Sequence, residues 1–279
     1  MVLGLGAALL AALLYGVAAV AQAVAARRLP ALEDGVGRVA GRAVRDPLLV
    51  GAVVADLVGA LLHLVSIENA PLYVSQAGVA AALPITALTS AIWVRERLTA
   101  RDWAAVAATF GGIAVLAVDA GSVGSTSRVT PLTVVLYVGL AVVLVTAAAA
   151  YRGQGRTAAL VLSFLGGLGY SGTALGARLL GDAGGAVAWG VLAVLIAGCG
   201  ITGYWLYSFA MQRISVAAAS APLILTETLV PTVVGIALLG DDVPAWWAVV
   251  LGLLLSLAGA LYLGGFEGRL QHPPVEATT

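Results

Sequence analysis

Residues 215–239 read Ser215-Val-Ala-Ala-Ala-Ser-Ala-Pro222-Leu-Ile-Leu-Thr226-Glu227-Thr228-Leu-Val-Pro231-Thr-Val-Val-Gly-Ile-Ala-Leu-Leu239. The run is long enough to cross a bilayer, which takes about 20 residues. Yet it holds an acid, Glu227, near its middle, with prolines at 222 and 231 on either side. A carboxylate at that depth is expensive unless it is protonated, paired or facing water. The prolines free backbone carbonyls that an uninterrupted helix would have used. A membrane helix that keeps both features together is a candidate for function.

The whole chain supports a membrane setting. Of its 279 residues, 61% are hydrophobic and only 10% are charged, against about 25% charged in soluble domains. The formal net charge of zero argues against nucleic acid as a partner. The 35 glycines suit tightly packed membrane helices. The single cysteine, Cys199, cannot form an intramolecular disulfide, and no Cys/His spacing suggests zinc. No cofactor is expected. Residues 2–26 look superficially like a signal peptide with Ala-Gln-Ala at 21–23. No positive charge precedes the apolar run, however, and the run is too long for an h-region, so it reads as a retained helix.

Working outward from Glu227, apolar runs bounded by charge, glycine or proline predict nine spans: 2–26, 47–66, 72–94, 103–119, 131–151, 157–181, 187–210, 214–239 and 245–265. Segment 27–46 is too charged to be a tenth, with Arg27, Arg28, Glu33, Asp34, Arg38, Arg42, Arg45 and Asp46. Nine spans place twelve of the 14 basic residues on one side. Those twelve lie in loops 27–46, 95–102, 152–156 and 211–214 and in the tail. Only Arg128 and Arg178 fall opposite, with Glu68, Asp119, Asp182, Asp241 and Asp242. The positive-inside rule then puts the N-terminus outside and the C-terminus in the cytoplasm of a multi-pass plasma-membrane protein. Trp93, Trp103, Trp189, Trp246 and Trp247 sit near span ends, as an interfacial belt requires.

Two stretches repeat one pattern. Pro84 precedes an acidic turn at Glu96, then Trp103 and a helix with Gly111 and Gly112. Pro231 precedes Asp241 and Asp242, then Trp246, Trp247 and a helix with Gly252 and Gly259. Their helices run in opposite directions through the membrane. The expected fold is an all-α, polytopic membrane bundle of about nine helices, built as two inverted four-helix repeats plus a connecting helix. Residues 1–119 form the first repeat, including the cytoplasmic loop 27–46. Residues 120–156 hold an outer loop and the connector, 157–265 form the second repeat, and 266–279 are a cytoplasmic tail. Inverted repeats with a midplane site are typical of secondary transporters. Shared Ala/Leu/Val composition is the plainer source of the likeness.

Pro84 followed by Val-Arg-Glu96-Arg-Leu-Thr and Gly111-Gly112 resembles the end of an EamA-type half of the drug/metabolite transporter superfamily, and Pro231 to Leu-Leu-Gly-Asp241 resembles the same feature in the second half. The resemblance covers roughly residues 68–119 and 212–265. That superfamily usually has five plus five helices, whereas here a charged loop stands where a helix is expected. The nine-helix arrangement looks more like the NIPA-type magnesium transporter branch, whose first helix ends in basic residues (here Arg27-Arg28). The resemblance implies a transporter fold, with magnesium or another divalent cation as an alternative substrate. It transfers no binding residue.

Glu227 leads the candidate site residues. Thr226 and Thr228 offer hydroxyls beside it, and it suits either proton exchange or the holding of a cation or amine. A structural acid bonded to a neighbouring helix is the competing reading. Asp56 lies at similar depth in the second span. It either meets Glu227 across the repeat interface, where the two would be the metal ligands of the divalent-cation alternative, or pairs within its own unit. His63 lies seven residues on, along the same face, and is otherwise an ordinary polar residue near the outer interface. Gln76 and Gln22 line a cavity or bond helix to helix. Arg178 is expected to pair locally with Asp182 and snorkel. Gly172 and Gly176 point to close packing, and Glu96 and Asp241 to solvated turns.

These residues favour a secondary transporter that moves a small metabolite, drug-like molecule or ion by alternating access, coupled to a proton or cation. A polytopic membrane enzyme finds little support, since the sequence has no nucleotide loop, no His-Glu-x-x-His and only two histidines. A non-transporting assembly subunit is the third class. The expected partners are the lipid bilayer and a small-molecule or ion substrate.

Overall fold

A computed structural model describes residues 1–26, 45–95, 97–118 and 120–271. Most of the loop 27–46, together with Glu96, Asp119 and the tail from 272, lies outside the described residues. Ten helices follow in order: α1 Val2–Ala26, α2 Pro47–Asn69, α3 Leu72–Ala80, α4 Ala82–Trp93, α5 Ala100–Val118, α6 Val129–Arg152, α7 Arg156–Gly181, α8 Ala186–Met211, α9 Val216–Leu238 and α10 Trp246–Gln271. With α3 and α4 counted as one broken span, nine helical stretches among the described residues are long and apolar enough to cross a membrane. This is an all-α, multi-pass membrane bundle.

Local chemistry explains where several helices start. Asp46 accepts bonds from the amides of Leu48 (2.9 Å) and Leu49 (3.1 Å), and Pro47 occupies the first turn of α2, where a missing N–H costs nothing. Thr99 and Asp102 form a reciprocal capping box at the head of α5: the Thr99 amide donates to Asp102 (2.7 Å) and the Asp102 amide to the Thr99 hydroxyl (3.3 Å). Ser215 caps α9 through the Ala218 amide.

Prolines act differently in the two related spans. The sequence predicts one helix over 72–94, but the helix breaks at Ala81, whose amide turns back to Gly78 at 3.2 Å. Pro84 cannot donate to the carbonyl of Ala80 and its ring crowds that carbonyl, so the preceding turn tightens. α9 runs unbroken through both Pro222 and Pro231. Pro231 nonetheless leaves the carbonyl of Glu227 without its helical donor, just as Pro84 leaves that of Ala80.

Packing follows the same order in both halves. α1, the first span, packs on α2 and on the broken third span. α7, the sixth, packs on α8 and α9. The fourth and ninth spans, α5 and α10, pack on each other across the halves. Small residues set that crossing. A Cβ on Gly112 would stand 2.5 Å from the carbonyl oxygen of Gly252, and one on Gly252 would stand 2.8 Å from the carbonyl oxygen of Gly112. The two glycine-bearing helices of the sequence repeat thus meet backbone to backbone. Gly172 and Gly176 likewise let α7 approach Cys199 and Ile196 of α8. α6 is peripheral, packed on α7 and α8 only along one side. Trp93, Trp103, Trp189, Trp246 and Trp247 are all exposed near helix ends.

The Gly112 crossing makes a clean contrast with its neighbour. Gly112→Val places side-chain atoms against fixed backbone, whereas a side chain at Gly111 meets nothing within 4 Å. Size-exclusion chromatography of the purified variants checks this. Gly112→Val is expected to lose most of the monodisperse protein and Gly111→Val to retain it.

Candidate functional site

A cavity of about 570 Å³ opens between the two halves. Small-molecule sites span about 300–1,000 Å³, so it is large enough for a metabolite and far larger than a bare ion. The first half contributes Tyr15 from α1, Ala60, His63, Leu64 and Ile67 from α2, and Gln76, Val79 and Ala80 from α3, with Ala82 and Leu83 from α4. The second half contributes Tyr170 and Thr173 from α7, Tyr207 and Met211 from α8, and Ser220, Leu223, Glu227 and Thr228 from α9. Residues 60, 63, 64 and 67 form one helical stripe, as the 3.6-residue repeat requires.

Glu227 is the single charged residue in this lining. Among the described residues its carboxylate has no hydrogen bond or ion pair, and it is only partly covered. Two tyrosines stand near it: Tyr15 and Tyr170 both interact with it electrostatically. Ala80 lies in the same lining. Ala80 and Glu227, whose carbonyls lose their helical donors to Pro84 and Pro231, therefore both border the cavity.

The other sequence candidates divide. His63, Gln76 and Thr228 line the cavity with Glu227. The Nε2 atom of His63 is buried and has no hydrogen-bond partner. Thr226 does not line it: its hydroxyl donates to the carbonyl of Pro222 at 2.7 Å, and its Cβ packs against Gly167 of α7. Asp56 is also absent from the lining. It continues the α2 stripe one turn beyond Ala60, where Gln22 of α1 donates a short hydrogen bond to it. Of the two arrangements open to Asp56, pairing within its own half is the one present. Tyr15 lies between, close enough to interact with both Asp56 and Glu227.

The three cavity tyrosines escape a sequence search for charge. Their signal is position: tyrosine favours the membrane interface, yet Tyr15 and Tyr170 sit near the middle of α1 and α7.

The cavity is closed at the end away from the arginine-rich loops, and here two sequence expectations are corrected. Arg178 does not pair with Asp182 or reach toward water. It is 4% exposed and forms a salt bridge to Asp241 at 2.9 Å, and Asp241 has a fully buried side chain instead of a solvated turn position. Arg178 also donates to the carbonyls of Ile67 (2.7 Å) and Gly124 (2.6 Å). Asp241 accepts from the amides of Leu72 (2.7 Å) and Gly124 (3.0 Å). Asp182 is occupied by the amide of Thr126 at 2.9 Å. The i, i+4 pair failed because each member found backbone groups that had no other partner. Loop 120–128 lies over this cluster, and a Cβ on Gly124 would come within 2.2 Å of the Leu239 carbonyl oxygen. Tyr73, fully buried, adds a bond to the Asp242 carbonyl (3.1 Å) and accepts from the Gly121 amide (2.9 Å). No sequence signal marked Tyr73.

At the opposite end the lining reaches Met211, the last residue of α8, and Ser220, early in α9. Ser220 and Tyr207 bond there at 2.7 Å. The cavity therefore extends from Ile67, next to the Arg178–Asp241 cluster, toward the arginine-rich loops.

No family model, curated protein or solved structure matches the chain.

Removing one member of a buried ion pair strands the other and costs about 3–5 kcal/mol, whereas replacing both by apolar groups is often neutral. Arg178→Met alone is expected to lower the thermal midpoint in detergent strongly. The double variant Arg178→Met/Asp241→Leu is expected to recover part of that loss, although the amides of Leu72 and Gly124 lose their acceptor. A single variant as stable as wild type removes the pair from the account of the fold.

Proposed function

We propose that this protein is a secondary transporter that moves a small solute by alternating access, with Glu227 as the binding and coupling group. The observation that carries the reading is an unpaired carboxylate, at mid-depth, in a metabolite-sized cavity between two halves with matching packing. An acid at membrane depth with no partner is costly, and a cationic solute or a proton relieves that cost. The Arg178–Asp241 cluster closes one end of the cavity while the other end reaches toward the arginine-rich loops. With those loops on the cytoplasmic side of the plasma membrane, the conformation is closed outside. Transport then requires α7 and the α9–α10 turn to separate at Asp241, and the Tyr207–Ser220 end to close. The resemblance of residues 68–119 and 212–265 to the drug/metabolite transporter superfamily is in keeping with this reading.

The magnesium alternative rests on the resemblance to the NIPA-type branch. It needs several oxygen ligands in octahedral array. Glu227 stands alone in the cavity, Asp56 is bonded to Gln22, and no group of three or more His, Cys, Asp or Glu occurs among the described residues. An organic solute or a proton fits better. A non-transporting subunit predicts that Glu227→Gln and Asp56→Asn leave function untouched.

Proteoliposomes loaded with a panel of cations, amines and neutral metabolites test the proposal under an imposed pH gradient. Glu227→Gln is expected to slow coupled flux by roughly tenfold or more, equivalent to about 1.4 kcal/mol or more. Normal coupled flux in that variant removes Glu227 from the mechanism.

A further inference from the structure

The polar groups left without partners in the cavity are spaced along it, not gathered at one point. His63 lies six residues before α2 ends at Asn69, and Gln76 lies four residues after α3 begins at Leu72. Both helices end at the Arg178–Asp241 cluster, through the Ile67 carbonyl and the Leu72 amide. At 1.5 Å rise per residue, His63 sits about 9 Å and Gln76 about 6 Å below that closed end. Glu227 lies eleven residues before α9 ends at Leu238, on the same scale about 16 Å below it. The carboxylate is thus about 7–8 Å deeper than His63.

Neither polar end is satisfied by the protein. His63 Nε2 is buried without a partner, which costs about 1–3 kcal/mol in an apolar surrounding. Gln76 makes no side-chain hydrogen bond among the described residues and is nearly buried. The rest of the wall is mostly apolar, with Val79, Ala80, Leu223 and Ile224, or aromatic, with Tyr15 and Tyr170, and Thr173 and Thr228 add hydroxyls. The rings favour a cation near Glu227. No arginine or lysine lines the cavity, so a carboxylate on the solute would find no counter-charge.

We infer that the cavity takes an organic amine whose nitrogen is held by Glu227 and whose second polar group, lying toward the Arg178–Asp241 end, is uncharged and hydrogen-bonds to His63, with Gln76 in the same lining. A neutral imidazole nitrogen accepts or donates as its tautomer dictates, so a hydroxyl, which does both, satisfies it in either form. The inference rests on reading the Glu227 cavity as the solute site, and it excludes amino acids as preferred solutes.

Isothermal titration of the purified full chain in detergent tests it with three probes. 5-Amino-1-pentanol carries the required pair of groups on a flexible chain. Hexylamine replaces its hydroxyl by a methyl group. 5-Aminopentanoate replaces it by a carboxylate. Wild-type protein is expected to bind the amino alcohol and to bind the zwitterion at least tenfold more weakly, the scale of about 1.4 kcal/mol. His63→Leu is expected to weaken the amino alcohol roughly tenfold while leaving hexylamine within about twofold. His63→Gln, which keeps a hydrogen-bonding group, is expected to preserve the preference and guards against misfolding of the leucine variant. Glu227→Gln is expected to weaken both amines. The inference is overturned if His63→Leu weakens both amines alike or neither, if the zwitterion binds as well as the amino alcohol, or if no amine binds. Normal amine binding by Glu227→Gln instead overturns the site itself. Binding without flux in proteoliposomes leaves the recognition intact and removes the transport reading.

Discussion

The pairing of Arg178 with Asp241 ties together four parts of the chain that are far apart in sequence. The guanidinium comes from α7 and the carboxylate from the α9–α10 turn. The carbonyl of Ile67 and the amide of Leu72 come from the two sides of the α2–α3 junction, and Gly124 comes from the loop before α6. Each backbone group involved lies at a helix end or in a loop, where the helical pattern leaves it unsatisfied. In a low-dielectric setting such groups must find partners. One fork of donors and one pair of acceptor oxygens supply them at once. The same cluster joins the first half to the second beside Ile67, which lines the cavity at that end.

Against this sealed end, the interior is chemically uneven. The scaffold has matched parts: a proline four residues after a cavity residue in each half, Pro84 after Ala80 and Pro231 after Glu227, and a glycine crossing between α5 and α10. The matched positions carry different side chains, alanine in one and glutamate in the other. A similar order of packing with different side chains places one charge, not two, in a space of about 570 Å³. A second carboxylate across from Glu227 would raise the cost of burying either, and Asp56 avoids this by taking Gln22 one helix away. What remains in the cavity is one carboxylate with no hydrogen bond or ion pair among the described residues.

The nine spans, their boundaries to within a few residues and the placing of Glu227 near the middle of a span were legible in the sequence. The physical reason is that lipid imposes a one-dimensional rule: a helix must be long and apolar enough, and every exception to apolarity is visible as a letter. The Asp46 cap, the Thr99–Asp102 box and the close packing of the glycine-bearing helices follow from equally local rules. Thr226 shows the limit of such reading. Its neighbourhood to Glu227 in sequence points at the site, but a helix turns about 100° per residue, and its hydroxyl is spent on the Pro222 carbonyl.

What only the tertiary structure decided are choices between partners. Arg178 had a plausible mate four residues away in Asp182 and took Asp241, 63 positions on. Asp56 had Glu227 or a partner within its own half in prospect and took Gln22, which the sequence had not singled out for it. Tyr15, Tyr170 and Tyr207 became a cavity wall because three separate helices bring them to one place. Sequence states which groups must be satisfied in lipid, since desolvation cost belongs to each residue alone. Which group satisfies which depends on distances between helices, and those distances exist only once α5 and α10 have closed on their glycines and the arginine has met its acid.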